Sequence, residues 1–492
     1  MQPCNRLFEI KSNGKRSQYI HYILISFGNI ILSVYNITNI TMKREAVLLF
    51  KRTLSAIAMT INPEQLLELA LKSGAEAAEV YASSTVSRPV FFEANRLKQL
   101  ESIDSEGVGL RIWQDGKVGL AIAYGAVEPE DLVAQAIALS ALNEPEEILL
   151  RDSTISDYRK LYGQEVSVEQ MVDWGKSAIA QVRDQHPDAI CGAEWDCGRE
   201  TVRIINSQGL DCGYSDITVD GSLSAELTRG DDFLNVWYGQ SERGDLAPEA
   251  IAQKVLQSLA WAKKNAKMPK GKKVPVIFTA KAADLLWGVV AIAMSGRQVQ
   301  QKATPWLDKI GQLVISDIFS VSQHPDFGVY SSPFDDEGTP TQEITWINRG
   351  VLQSFYADMR TCKELAIAAT GNGFRGDLGN YPSPGLFNLA IAASQTTQGD
   401  ILELAATLKN GLIVDQVLGD DTDLSGDFSI NIDLGYRVKN GEIIGRVKDT
   451  MLSGNVYTAL NQVTAVASDR QWHGSLYVPA MIVEGLSITS RE

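Results

Sequence analysis

Histidine is scarce in this sequence, with only His21, His186, His324 and His473. No two stand four or five residues apart, so no helix can turn a pair of imidazoles toward one metal ion. His186-Pro187 and His324-Pro325 read as loop positions, because the residue before proline avoids the helical region. There is no GxSxG elbow, Walker loop or strand-following GxGxxG, and Met294-Ser295-Gly296 lacks the glycines of a strained nucleophile turn. The five cysteines (Cys4, Cys191, Cys197, Cys212 and Cys362) contain no CxxC pair. They read as free thiols in a reducing compartment, which makes the expected location cytoplasmic.

Carboxylates are the remaining chemistry. Asp421-x-Asp423-x-Ser425-Gly426 opens like a calcium loop, but the twelfth position is Ile432, where a bidentate glutamate should close the shell. The expectation is a Gly/Asp-rich turn entering a strand. Asp335, Asp336 and Glu337 stand together in Phe334-Asp335-Asp336-Glu337-Gly338. Three adjacent carboxylates cannot all ionise cheaply in a buried site. A solvent-facing turn, or pairing with Arg or Lys, is therefore expected, with the wall of a polar cleft as the other reading. No catalytic residue and no metal ligand is assigned.

The elements that would position these groups follow from periodicity. Asn62-Pro63-Glu64 is a helix start, with the cap residue followed by proline at the first helical position, and Ser73-Gly74 ends that helix. Strands are expected over 78–82, 89–93, 107–113 and 118–123, the last two joined by a hairpin turn at Asp115-Gly116. Helices are expected over 128–142, 167–185 and 247–263, with strands over 189–199 and 200–205 and alternating runs to Tyr238. The lysine-rich stretch 263–273 reads as a solvated linker between domains. Beyond it come a strand at 274–278, a helix at 280–295 that is apolar nearly all round and hence buried, and short strands with glycine turns.

The predicted fold is α+β with two domains, a mixed α/β N-terminal domain over 60–265 and a strand-dominated C-terminal domain over 274–492. A chain of 492 residues is too long for one ordinary core. The net charge of −15 disfavours duplex nucleic acid or anionic membrane as the main partner. Residues 1–58 stand apart: Lys11, Lys15 and Arg16 precede an apolar run over 19–40 that is long enough to span a bilayer. The run is interrupted by Asn29, Asn36 and Asn39, and further methionines follow at Met42 and Met59. The expectation is a leader or upstream extension outside the fold, with no membrane contact unless that leader is real.

Several segments together resemble the TldD/PmbA family. They include Gly107-Val108-Gly109-Leu110-Arg111, Phe334-Asp335-Asp336-Glu337-Gly338 with Gly350-Val351-Leu352, and Thr370-Gly371-Asn372-Gly373. Ser425-Gly426-Asp427-Phe428-Ser429 and Val438-Lys439-Asn440-Gly441-Glu442-Ile443 belong to the same likeness, which covers roughly residues 59 to 487. The resemblance implies a pair of subunits, TldD and TldE (PmbA), acting on unfolded peptides, with zinc held in TldD by an HExxxH helix and a distant cysteine. Laid over that helix, Trp287 and Ile292 stand where the histidines would be, and Gly288 replaces the glutamate. The region 471–474 offers no cysteine. Without imidazoles there is no zinc, and without the carboxylate no base for its water.

The resemblance therefore implies the non-metal TldE/PmbA side: a subunit without a cofactor of its own, whose TldD-like partner carries zinc. It would help form a cleft for an extended peptide. The candidate cleft residues are Asp335, Asp336, Glu337 and Trp287, although on a helix this apolar the core is the favoured place for Trp287. Two other readings stay open. One is a stand-alone homodimeric peptide-binding or chaperone-like protein, and the other a metal-independent hydrolase built on residues 335–337. Direct nucleic-acid contact is not expected.

Overall fold

The computed structural model describes residues 62–152, 161–244, 246–268, 273–395, 399–419 and 422–490. The expected leader over 1–58, the start at Met59, and Asp421 lie outside the described residues.

The N-terminal half is organised by one nine-stranded sheet. Its spine is the long strand Ile190–Asn206, which meets Ala77–Ser87 and Val90–Glu93 end to end along one edge and Asp211–Arg229 along the other. Pro89 cannot donate to the ladder, so the first edge breaks there. Asp196 of the spine fills the gap, accepting from the Ser87 hydroxyl at 2.9 Å and the Arg88 N–H at 3.0 Å. Ile103–Gln114 pairs with Ala77–Ser87 and turns into Lys117–Tyr124 through Asp115 and Gly116, both at positive φ as a two-residue hairpin turn requires. The helices Pro63–Lys72 and Pro129–Ser140 close a small core over these strands. Asn62 caps the first helix, accepting from the Gln65 N–H at 3.0 Å.

The C-terminal half is built on a twelve-stranded mixed sheet. The short central strand Val276–Phe278 lies between Asn410–Leu418, parallel to it, and Leu476–Val483, antiparallel to it. The helix Ala280–Ala293 follows directly, capped by Thr279, and packs on this sheet. A second core is shared by the two halves. The helices Val168–Gln185 and Pro248–Trp261 bury Met171, Ile179, Ile251 and Val255 together with Ile277, Ile413, Tyr436 and Ile482 of the C-terminal sheet.

Three sequence expectations are corrected. The strands expected over 189–199 and 200–205 are one strand, because the Arg199-Glu200 step continues the ladder opposite Ile217 and Asp216. The strand Arg96–Leu100, which the sequence reading omitted, completes a hairpin with Val90–Glu93. The helix at 280–293 is not buried all round: Lys281, Asp284, Gly288 and Ile292 form a stripe outside its core face, with Ile292 43% exposed. Asp423 does what a turn needs, accepting from the Ser425 N–H at 2.8 Å ahead of the strand Asp427–Lys439. Among the described residues no helix is long and apolar enough to cross a membrane.

Candidate functional site in a polar cleft

A cleft of about 1020 Å³ is lined by both halves of the chain. One wall comes from the N-terminal strand Ile103–Gln114, through Arg111 and Trp113, and from residues 143–147. The opposite wall comes from the C-terminal half, through Arg297 on the short helix Gly296–Gln300, Glu337, and Asp358 and Arg360 at the start of the helix Met359–Leu365.

The acidic triplet lies behind this cleft, and its expected solvent-facing turn is overturned. Asp335 and Glu337 are buried and Asp336 is half-buried. Their burial is compensated by directed donors. Asp335 accepts from the N–H groups of Glu337 at 3.0 Å, Thr339 at 2.8 Å and Gly373 at 2.9 Å. Asp336 accepts from the Arg375 N–H at 2.7 Å, and Glu337 from the Met359 N–H at 2.7 Å. Gly338 makes the turn at φ +74°, in the left-handed region that glycine enters freely, against Leu210 of the N-terminal half. Burial pushes the Asp335 carboxyl up to about 7, against the pull of its three N–H donors. Burial also raises Asp336, opposed by Arg375. Burial, then the neighbouring Asp335 carboxyl, pushes Glu337 well above the usual range.

Beneath the triplet sits a charge cluster absent from the sequence reading. Glu79, buried on the strand Ala77–Ser87, pairs with Arg111 at 3.0 Å and with Arg375 at 2.5 Å. The Arg375 guanidinium also lies over the Tyr81 ring at 4.9 Å. The signal for this cluster was available: Glu79 and Arg111 are single charges in otherwise apolar strand runs, where a buried partner is required. Their partner in the C-terminal half had no such signal.

The structure does not bring Trp287 to the cleft, and its place among the cleft candidates is corrected. The indole is fully buried and meets Phe319 edge-to-face, with ring centroids 5.1 Å apart. Five residues on a helix subtend about 140°, so Trp287 enters the core while Ile292 points away. Indole, hydrogen and alkyl at 287, 288 and 292 offer no donor set for zinc. Among the described residues no three His, Cys, Asp or Glu side chains converge as a metal-binding group. His324 is held by Ser322 at 2.9 Å, and His473 stacks near Trp237.

Fold and site together define a two-half α+β protein with a polar cleft between its halves. Three family models match: the PmbA/TldA metallopeptidase domain 1 over residues 78–140, the central domain over 162–263 and the C-terminal domain over 271–490. The chain belongs to the PmbA/TldD family. The nine-stranded sheet runs through the residues of both N-terminal models. A metalloprotease PmbA homologue of Haemophilus influenzae is 24% identical over 444 residues, covering 86% of this chain and 94% of its own. A metalloprotease TldD homologue of the same organism is 26% identical over 242 residues, 47% of this chain and 48% of its own. The crystal structure of TldE from Thermococcus kodakarensis superposes with a TM-score of 0.76 at 21% identity, covering 87% of this chain and 99% of that one, a likeness of fold.

Proposed function

We propose that this chain is the TldE/PmbA-like subunit of a two-chain metalloprotease acting on unfolded peptides in the cytoplasm. A TldD-like partner would supply the zinc, and this chain would supply part of the surface that receives the substrate. The observation that carries the reading is the helix Ala280–Ala293, which commits Trp287 to the core and presents Gly288 and Ile292 instead of an imidazole–carboxylate set. Family membership supplies the reaction class, and Haemophilus influenzae carries relatives named for each of the two subunits. The cleft, lined by charged and amide groups from both halves, suits a polar main chain.

The test is degradation of a casein-like unfolded substrate by this chain alone, by a TldD-like relative alone, and by the mixture. Activity that needs the mixture and is abolished by a chelator is expected. Cleavage by this chain alone, or one zinc per isolated chain by metal analysis, would overturn the subunit reading.

A further inference from the structure

We propose that the cleft is a receptor for the terminal carboxylate of a peptide, held between Arg111 on one wall and Arg297 and Glu337 on the other. The proposal rests on the peptide reading above and specifies which end of the peptide is held.

Hydrogen-bonding capacity is left unused along this cleft. Arg111 is only 7% exposed and borders the cleft; its Nε–H, closed off from solvent, has no acceptor among the described residues. Its one ion-pair partner, Glu79, is shared with Arg375, so a single carboxylate faces two guanidinium groups and the trio carries net positive charge. Glu337 is 8% exposed. It spends one oxygen on the Met359 N–H and has no hydrogen bond to the other among the described residues. Arg297 is exposed and has no ion-pair partner among the described residues.

Most acidic groups of the cleft are, by contrast, already engaged, with Glu144 at the exposed rim the exception among the described residues. Glu146 pairs with Arg360 at 2.5 Å, Glu147 with Lys363, and Glu364 accepts from the Gln300 amide at 2.6 Å. Asp358 caps the helix Met359–Leu365, accepting from the Thr361 N–H at 2.7 Å. The groups left over are guanidinium donors on the two walls and a carboxyl that burial holds toward its neutral form. Guanidinium N–H groups and a carboxylic O–H all donate, and a carboxylate accepts from either kind of donor. The cleft volume of about 1020 Å³ leaves room for several residues upstream of the carboxylate.

The experiment is fluorescence anisotropy with the full chain and two N-acetylated, labelled unfolded peptides of one sequence, one ending in the free acid and the other in the amide. The free acid should bind about ten-fold more tightly, the effect of one charge-assisted contact. Arg297→Gln, at an exposed residue without an ion pair among the described residues, should remove most of that preference and leave the amide unchanged; Arg297→Lys should restore part of it. Equal, measurable affinity for acid and amide would overturn the carboxylate receptor and leave the peptide cleft standing. Equal loss for both peptides in Arg297→Gln would do the same. Binding of neither peptide, by this chain alone or in the mixture with a TldD-like relative, would overturn both readings.

Discussion

At the scale of single residues, charge sits where water is not. Glu79, Arg111 and Arg375 form a buried trio in which each partner's desolvation is tolerable only while the others are present. Glu79→Gln leaves two guanidinium groups facing a neutral amide. It should cost on the order of 3–5 kcal/mol in urea unfolding, the usual price of orphaning a buried charge. A loss below about 1 kcal/mol would show that water reaches the trio. Trp287 tests burial against function in the opposite way. Trp287→Ala should cost about 3–5 kcal/mol through the cavity it leaves beside Phe319. Trp287→Phe should keep the activity of the two-chain mixture; loss of that activity in a stably folded Trp287→Phe protein would return the residue to the substrate path.

At the scale of elements, close approach is the theme. The strand Lys117–Tyr124 lies so near the helix Pro129–Ser140 that a Cβ on Gly119 would stand 2.0 Å from the Ala136 carbonyl oxygen. Gly119→Ala should push the helix off its sheet and cost about 1–3 kcal/mol, read as a lowered urea midpoint. An unchanged midpoint would mean that the helix slides freely. Elements whose partners are local were legible in the sequence. The capped helix at Pro63–Lys72, the hairpin at Asp115-Gly116 and the helix Val168–Gln185 follow from spacing and turn chemistry alone. What escaped was decided at a distance. Arg199-Glu200 looks like a break until the neighbouring strands supply an unbroken ladder. Residues 335–337 look solvated until Met359, Gly373 and Arg375, far along the chain, deliver their N–H groups. The candidate site was thus half legible: its carboxylates were singled out, whereas their burial and the arginines facing them were not.

At the scale of the whole molecule, buried acids set the response to pH. A carboxyl whose pKa is higher in the fold than in the unfolded chain binds more protons when folded. Its contribution is complete below the unfolded value and is lost as pH rises through the folded one. For Asp335 that window runs from the ordinary aspartate value of 3.8 to about 7, and Asp336 and Glu337 are raised in the same direction. Stability should therefore fall by something on the order of 3 kcal/mol between pH 5 and pH 8, measured as urea midpoints across that range. A midpoint that rises over the same range would mean these carboxyls are ionised in the fold.

The spine strand has a consequence in time. Ala77–Ser87 pairs with Ile103–Gln114 soon after both are made, but its other ladder partner is Ile190–Asn206. During synthesis at about 5–20 residues per second, the first strand waits several seconds with one edge bare. Its hydrogen-bonding edge is then open to any extended chain nearby. The nascent protein is in this sense briefly a peptide acceptor itself, and whatever shields that edge on the ribosome decides how much of it reaches the folded state.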